Sequence, residues 1–281
     1  MVEKELIKVA MLGPEGSYSY EAAKKAFPKT NYLLESSIKS VFEKVENKKA
    51  EFGVVPIENS TDGSISATLD LLAEKNLTIA AELFLDIKHC FLSNEKNKSE
   101  IKRIFSHPQG FAQCRTWIEK NFPSAELVEC QSTALAAKRA SIEKFSAAIA
   151  SESSAKSYSL KIIQKDIHDL KGNKTRFAVV SIPEKISPFS NNEKRVKMKT
   201  SLLFAVKNKP GSLFDAIKSF KEFNINMTKI ESRPSKKNAW EYVFFVDVEG
   251  SITQHNILQA LDELNNHCAF VKVFGSYGEI K

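Results

Sequence analysis

The chain has 281 residues, 42% of them hydrophobic and 27% charged, a composition suited to one large or two ordinary globular domains with an ample core. No apolar run approaches the roughly 18 residues of a membrane span. The N-terminus is too short and too charged for a secretory signal, so the cytoplasm is the expected location. The net charge of +7 comes from lysines spread among glutamates, which reads as solvated surface and gives no support to nucleic-acid or membrane binding. The four cysteines lack CxxC spacing and fit reduced thiols better than zinc.

In chain order, strands are predicted at KVAML (8–12), FGVVPI (52–57), 77–93 (as more than one strand), RIFSH (103–107), AELVEC (125–130), AAIAS (147–151) and TRFAVVS (175–181). Helical patterns lie between them, including one over FAQCRTWIEKNF (111–122). The alternation predicts an α/β domain on a largely parallel sheet over residues 1–182. Two prolines and a polar, basic run make 183–198 a linker, and a second domain follows over 199–281. There, a strand at 200–207 precedes a helix at 212–223 with Leu213, Phe214, Ile217, Phe220 and Phe223 along one side. Strands at 227–234 and 239–250, a helix at 251–268 with a Ser or Thr cap, and a strand at 269–277 complete a βαββαβ, ferredoxin-like order.

Strand after strand in the first domain ends in small hydroxyl or amide residues before a helix. Open α/β sheets bind ligands at such strand ends, and free N–H groups at helix N-termini suit an anion there. Each turn also has an ordinary explanation: Ser132 and Thr133 as helix caps, Gly13 and Gly16 as turn glycines, Pro108 as a first-turn proline, and His89 and His107 as structural histidines. The repetition is what points to a site. Walker A, HExxH and GxSxG motifs are absent, so nucleotide, metal and covalent-serine chemistry lack support and no cofactor is expected.

Taken together, GPEGSYSYEAA (13–23), VVPIENSTDGSI (54–65), SHPQGFAQC (106–114), STALAA (132–137), NKTRFAVV (173–180) and MTKIESRP (227–234) resemble the monofunctional prephenate dehydratases with a C-terminal ACT domain, over nearly the whole chain. PIENS, SHPQ, TRF and ESRP in this order carry the resemblance. Departures are Ser17–Tyr18 where Thr–Phe is usual, Gly110–Phe111 after SHPQ, and Ser212 in the Gly–Ala–Leu turn. The resemblance implies a bilobed catalytic domain like type II periplasmic binding proteins, with a cleft between the lobes, and an ACT regulatory domain. It implies decarboxylating dehydration of prephenate to phenylpyruvate in phenylalanine synthesis, with L-phenylalanine as allosteric effector and a homodimer or homotetramer.

By this resemblance Thr175 is the group at the leaving hydroxyl. Arg176 either binds a carboxylate or holds the lobe together; Glu58 is either the proton source or a structural cap. Asn59 and Ser60 donate to substrate oxygens, and Ser17, Ser106, His107, Gln109, Thr133 and Phe177 are further contacts. The effector site is expected from Gly211, Ser212 and Leu213 at a helix N-terminus with Asn226, Glu231, Ser232 and Arg233, the last of these serving either the ligand or an interface ion pair. Arogenate dehydratase shares these motifs and is a rival, as are a solute-binding protein of the same fold and a non-catalytic amino-acid sensor. No all-helical segment precedes Gly13, so a fused chorismate mutase is not expected.

Overall fold

The computed structural model describes residues 7–184, 189, 197–235 and 242–281. The first lobe begins with β1 (Lys8–Leu12), α1 (Tyr18–Ala26), β2 (Asn31–Glu35), α2 (Ile38–Glu46), β3 (Phe52–Asn59), β4 (Gly63–Ser64), α3 (Ser66–Glu74) and β5 (Thr78–Asp86). The second holds β6 (Cys90–Ser93), β7 (Arg103–Ser106), α4 (Pro108–Gln113), α5 (Arg115–Asn121), β8 (Glu126–Glu129), α6 (Thr133–Ala140), β9 (Ser146–Ala150), α7 (Glu152–Ser157) and β10 (Lys161–Gln164). The chain then returns to the first lobe as β11 (Lys174–Ser181), which inserts between β3 and β5. The strand-like run over 77–93 is two strands in different lobes, joined by a crossing segment at 87–89.

The sheets are mixed rather than largely parallel. In the order β2-β1-β3-β11-β5, β1 is parallel to β2 and β3, while β11 is antiparallel to both neighbours. In β10-β6-β9-β7-β8, β7 is parallel to β8 and β9, and β6 is antiparallel to β9 and β10. A helix between strands reverses the chain and permits parallel pairing. The strands at each crossing between lobes enter from the other direction, which composition cannot reveal. The helix expected at 111–122 is broken at Cys114 into α4 and α5.

Both faces of the first sheet are covered, which is why its central strands are nearly continuous apolar runs. Val9, Met11, Phe52, Val54, Phe177 and Val179 pack on Ala22, Ala23 and Ala26 of α1. The alternate residues Ala10, Val55, Ile57, Ala178 and Val180 pack on Val41, Phe42 and Val45 of α2 and Leu69 and Leu72 of α3. In β11 this period of two decides which neighbours face the cleft; in β3 an irregularity at Ile57, where the ladder with β11 shifts register, brings both Pro56 and Asn59 to the cleft side.

The C-terminal domain has β12 (Lys199–Val206), α8 (Ser212–Glu222), β13 (Met227–Pro234), β14 (Tyr242–Glu249), α9 (His255–His267) and β15 (Cys268–Tyr277), the expected order. Its sheet runs β13-β14-β12-β15, all pairs antiparallel. Leu202, Phe204, Val246 and Val248 pack under α8 and α9; Leu203, Phe245, Phe274 and Tyr277 join the core of the first lobe. At Gly275 a Cβ would stand 2.5 Å from the Ile79 carbonyl oxygen, so glycine lets β15 lie directly on β5. Two expectations fail here: Phe214 is 65% exposed, not on the core side of α8, and α9 follows Gln254 as its N-cap, with no side-chain cap bond. Most of the expected linker at 183–198, and 239–241 of the expected strand, lie outside the described residues.

The two lobes of the first domain are joined along a polar seam. The Gly16 carbonyl accepts from Ser151 Oγ at 2.9 Å and Ser154 Oγ at 2.8 Å, and Tyr158 Oη donates to the Glu15 carbonyl at 2.9 Å. Glu21 lies on this seam; burial pushes its carboxyl above the ordinary 4.5, against the opposing pull of Ser151. A carboxyl whose pKa is raised by folding lends stability below its unfolded pKa and loses it as pH rises through the folded value. Glu21→Gln is therefore expected to melt higher than the wild type near pH 7.5 and to lose that advantage below about pH 4.5. Thermal unfolding at the two pH values checks this; a constant difference would contradict it.

Candidate active site

Between the lobes lies a cavity of about 410 Å³. The first lobe lines it with Ser17 and Tyr18, with Pro56 and Asn59 of β3, with Gly63–Ile65, and with Thr175 and Phe177 of β11; the second with His89, His107, Gln109, Gln113, Ser132 and Thr133. No lysine or arginine among the described residues lines it. Polar character comes instead from hydroxyls, amides, His89 and His107, the Asp62 carboxylate and the N-termini of α1 and α6. Ser17 accepts from Tyr20 N and Ser132 from Leu135 N, so both hydroxyls cap the helices they begin.

Thr175 stands opposite Asn59 in the β3–β11 ladder, so their side chains leave the same face. Asn59 Nδ2 donates to Thr175 Oγ1 and to Asn173 Oδ1, both at 2.9 Å, and Asn59 Oδ1 accepts from the amides of Thr61 (2.9 Å) and Asp62 (3.2 Å). The Asn59 amide is thereby fully used and cannot flip. One consequence falls on Thr175: its oxygen already accepts a hydrogen bond, and its own hydrogen has no acceptor among the described residues. The hydroxyl is set as a donor toward the cavity.

Several expected residues do not reach the cavity. Arg176 and Glu58 follow and precede cleft residues in their strands, so alternation turns both to the opposite face. There Arg176 is bound by Glu82 at 2.6 Å, Asp247 at 2.6 Å, Tyr277 Oη at 2.9 Å and Glu58 at 3.3 Å, while Lys199 meets Glu82 at 2.8 Å. Burial alone would lower the guanidinium pKa; Tyr277, Asp247 and Glu82 outweigh it and hold it above its ordinary value. Of the two sequence alternatives for Arg176, this geometry is the structural one. Glu58 is likewise tied to Lys229 at 3.1 Å rather than aimed at a ligand. Ser60 Oγ accepts from Lys174 N at 2.9 Å and donates to Asn173 Oδ1 at 3.4 Å, which makes it a brace of the Asn173–Asn59 pair. Ser106 is fully buried and donates to the Ile149 carbonyl at 3.0 Å, beneath Gly110, whose added Cβ would sit 2.4 Å from the Ser106 Oγ.

His107 begins α4, its Nδ1 accepting from Gln109 N at 3.2 Å; Gln109 reaches across the cleft to donate to Asp62. Thr133 and Phe177 line the cavity. Gln113, not singled out, lines the cavity beside these, and Asn173, also not singled out, holds Asn59. Asn173 sat in view in NKTRF, but its partnership with Asn59 spans 114 positions.

The expected effector residues are not gathered in one chain. Gly211, in the left-handed region at φ 84°, Ser212 and Leu213 begin the 11-residue α8, and Asn226 lies beyond its other end. Such a helix is about 16 Å long. Glu231 and Arg233 point to the first lobe: Arg233 pairs with Asp70 at 3.3 Å, and Glu231 accepts from Ser64 of the cleft wall. Ser232 lies between them in the strand and therefore on the other face.

A family model described as "Prephenate dehydratase" matches residues 9–185, and one described as "ACT domain" matches 200–266. A Methanocaldococcus jannaschii protein named "Prephenate dehydratase" is 40% identical over 270 residues, covering 94% of this chain and 95% of its own. "Arogenate dehydratase/prephenate dehydratase 2, chloroplastic" of Arabidopsis thaliana is 39% identical over 283 residues, covering 96% and 72%. A solved structure of prephenate dehydratase in complex with L-Phe from Arthrobacter aurescens aligns with a TM-score of 0.88 and 28% identity, over 97% of this chain and 90% of that one.

Proposed function

The chain belongs to the prephenate dehydratase family, a family of enzymes, and on that premise we propose that its cleft converts prephenate to phenylpyruvate, water and carbon dioxide. The observation that carries this reading is the Thr175 hydroxyl, held by Asn59 as a donor into a cavity that no lysine or arginine among the described residues lines. Prephenate has two carboxylates and a ring hydroxyl, and loss of the hydroxyl with one carboxylate makes the ring aromatic. The C–CO₂ bonding pair moves into the ring as the C–O bond breaks. Thr175 donates a hydrogen bond to the departing oxygen, which leaves as water after gaining one proton. The side-chain carboxylate goes to the N–H groups at a helix N-terminus, where the dipole favours it. The ring carboxylate, placed beside Phe177, Pro56, Ile65 and Ile87, meets no lysine or arginine among the described residues that would hold it back from leaving as CO₂.

The Arabidopsis relative favours a second reading, in which arogenate is the substrate and phenylalanine the product. Arogenate differs by an amine in place of the keto group, away from the bonds that break. Incubation with prephenate and with arogenate in parallel decides between them. Phenylpyruvate from prephenate is the expected result; phenylalanine from arogenate alone would replace the substrate and keep the chemistry; no product from either would overturn both.

L-phenylalanine is proposed as the effector of the C-terminal domain, supported by the ACT match and by the L-Phe complex of the Arthrobacter structure. Because Gly211–Leu213 and Asn226 lie at opposite ends of α8, a site using both draws them from two chains, which favours a homodimer or homotetramer. The contact of Glu231 with Ser64 gives such a site a short route to the cleft wall. Among the described residues no helix is long and apolar enough to cross a membrane.

A further inference from the structure

Gln113 enters the cavity from the last turn of α4, and its side-chain carbonyl Oε1 lies 2.9 Å from His89 Nε2. His89 is only 3% exposed and is the last residue of the segment that crosses between lobes. Its surroundings fix it from several sides. Ile87 N donates to Asn173 O at 2.8 Å and Ile167 N to His89 O at 3.0 Å, which ties the two crossing segments together. Tyr18 of α1 meets the imidazole edge-on, with ring centroids 6.3 Å apart, and its hydroxyl donates to Lys88 O at 2.8 Å. The ring is thus clamped by both lobes.

Burial favours the neutral imidazole; the Gln113 bond opposes this and His168 adds to it, with a net lowering of the pKa. A neutral imidazole carries one N–H, and an amide carbonyl can only accept. The hydrogen therefore sits on Nε2 and Nδ1 is bare. This agrees with Nδ1 being buried without a partner among the described residues, since a stranded N–H is the rarer state. With Oε1 taken by His89, the free end of the Gln113 amide is its NH₂.

We infer that His89 is a positioning residue, which locks the Gln113 carboxamide with its NH₂ toward the cavity and makes that end of the cleft a donor for a substrate oxygen. The inference rests on the dehydratase reading of the cleft. In a cavity lined by no lysine or arginine among the described residues, each such donor bears on an anionic substrate. An amide free to turn would present its carbonyl instead and repel a carboxylate or keto oxygen.

The test combines kinetics with a spectroscopic signature. His89→Phe, which keeps a ring and removes the donor, is expected to raise KM for prephenate about tenfold with a much smaller change in kcat. His89→Gln, whose amide N–H reaches the place of Nε2, is expected to bring KM back to within about threefold of the wild type. In a Gln113→Ala background, His89→Phe should change KM by less than about twofold, because nothing is left to orient. An equal rise in both backgrounds would assign His89 a merely structural part and overturn the inference. Where the phenylalanine ring prevents folding, His89→Asn, whose amide reaches only the place of Nδ1, serves in its stead. Long-range proton–nitrogen spectra of the wild-type imidazoles should show His89 as the Nε2–H tautomer; an Nδ1–H tautomer overturns the inference whatever the activity. A wild type that turns over neither prephenate nor arogenate sinks the reading of the cleft, and the tautomer still decides the geometry.

Discussion

Thr175→Val, which keeps the shape of the side chain and deletes its hydroxyl, is expected to lower kcat for prephenate by about 10² to 10⁴ with little change in KM. The hydroxyl donates to the departing oxygen only as the C–O bond breaks. Its loss therefore falls on the transition state and not on binding. A single preorganised donor at developing charge is worth about 10² to 10³ in rate, and a relayed proton extends the range. Valine also deprives Asn59 of one acceptor, but Asn173 Oδ1 remains 2.9 Å from the same nitrogen, so the amide keeps its place. Thr175→Ser should recover most of the activity. A folded Thr175→Val enzyme working within about threefold of the wild-type rate would remove this residue from the chemistry.

The second large effect is on stability. Arg176→Met is expected to cost about 3–5 kcal/mol, because it leaves buried carboxylates without their main counter-charge. Glu82 and Asp247 each lie 2.6 Å from the guanidinium, in the contact between the first lobe and the C-terminal sheet. Lys199 still meets Glu82 at 2.8 Å, but among the described residues Asp247 keeps only neutral partners, Ser201 among them. Urea unfolding with an unchanged m-value measures the loss. Had Arg176 held a substrate carboxylate, the same substitution would raise KM and leave unfolding nearly unchanged. That outcome would contradict the structural role.

Thr175 and Arg176, like Asn59 and Glu58, show how far the sequence carries. TRFAVVS and FGVVPI were legible as strands, and the resemblance pointed to Asn59 at the cleft. Consecutive residues of a strand face opposite ways, so of each neighbouring pair only one could belong to the cavity. That signal was present and separates Thr175 from Arg176 once applied. Ser106 was out of reach: nothing local says that its hydroxyl turns under Gly110 to the Ile149 carbonyl. Asn173 and Gln113 acquire their places through partners 114 and 24 positions away. The βαββαβ order of the C-terminal domain was legible because each element is bounded by local turns. The insertion of β11 between β3 and β5 was not, since it depends on the chain leaving for a second lobe and coming back.

The direction of the hydrogen bond between Asn59 and Thr175 is the point on which the chemistry turns, and Asn59→Asp tests it most directly. The carboxylate keeps the size of the amide and can still accept from the Thr61 and Asp62 amides. It can no longer donate to Thr175 Oγ1; it accepts from it instead and draws the hydroxyl hydrogen away from the cavity. With prephenate near pH 7, kcat is expected to fall by about 10² or more, close to the loss in Thr175→Val. A folded Asn59→Asp enzyme that keeps its rate within about threefold would show that the Thr175 hydrogen is not what the departing hydroxyl needs.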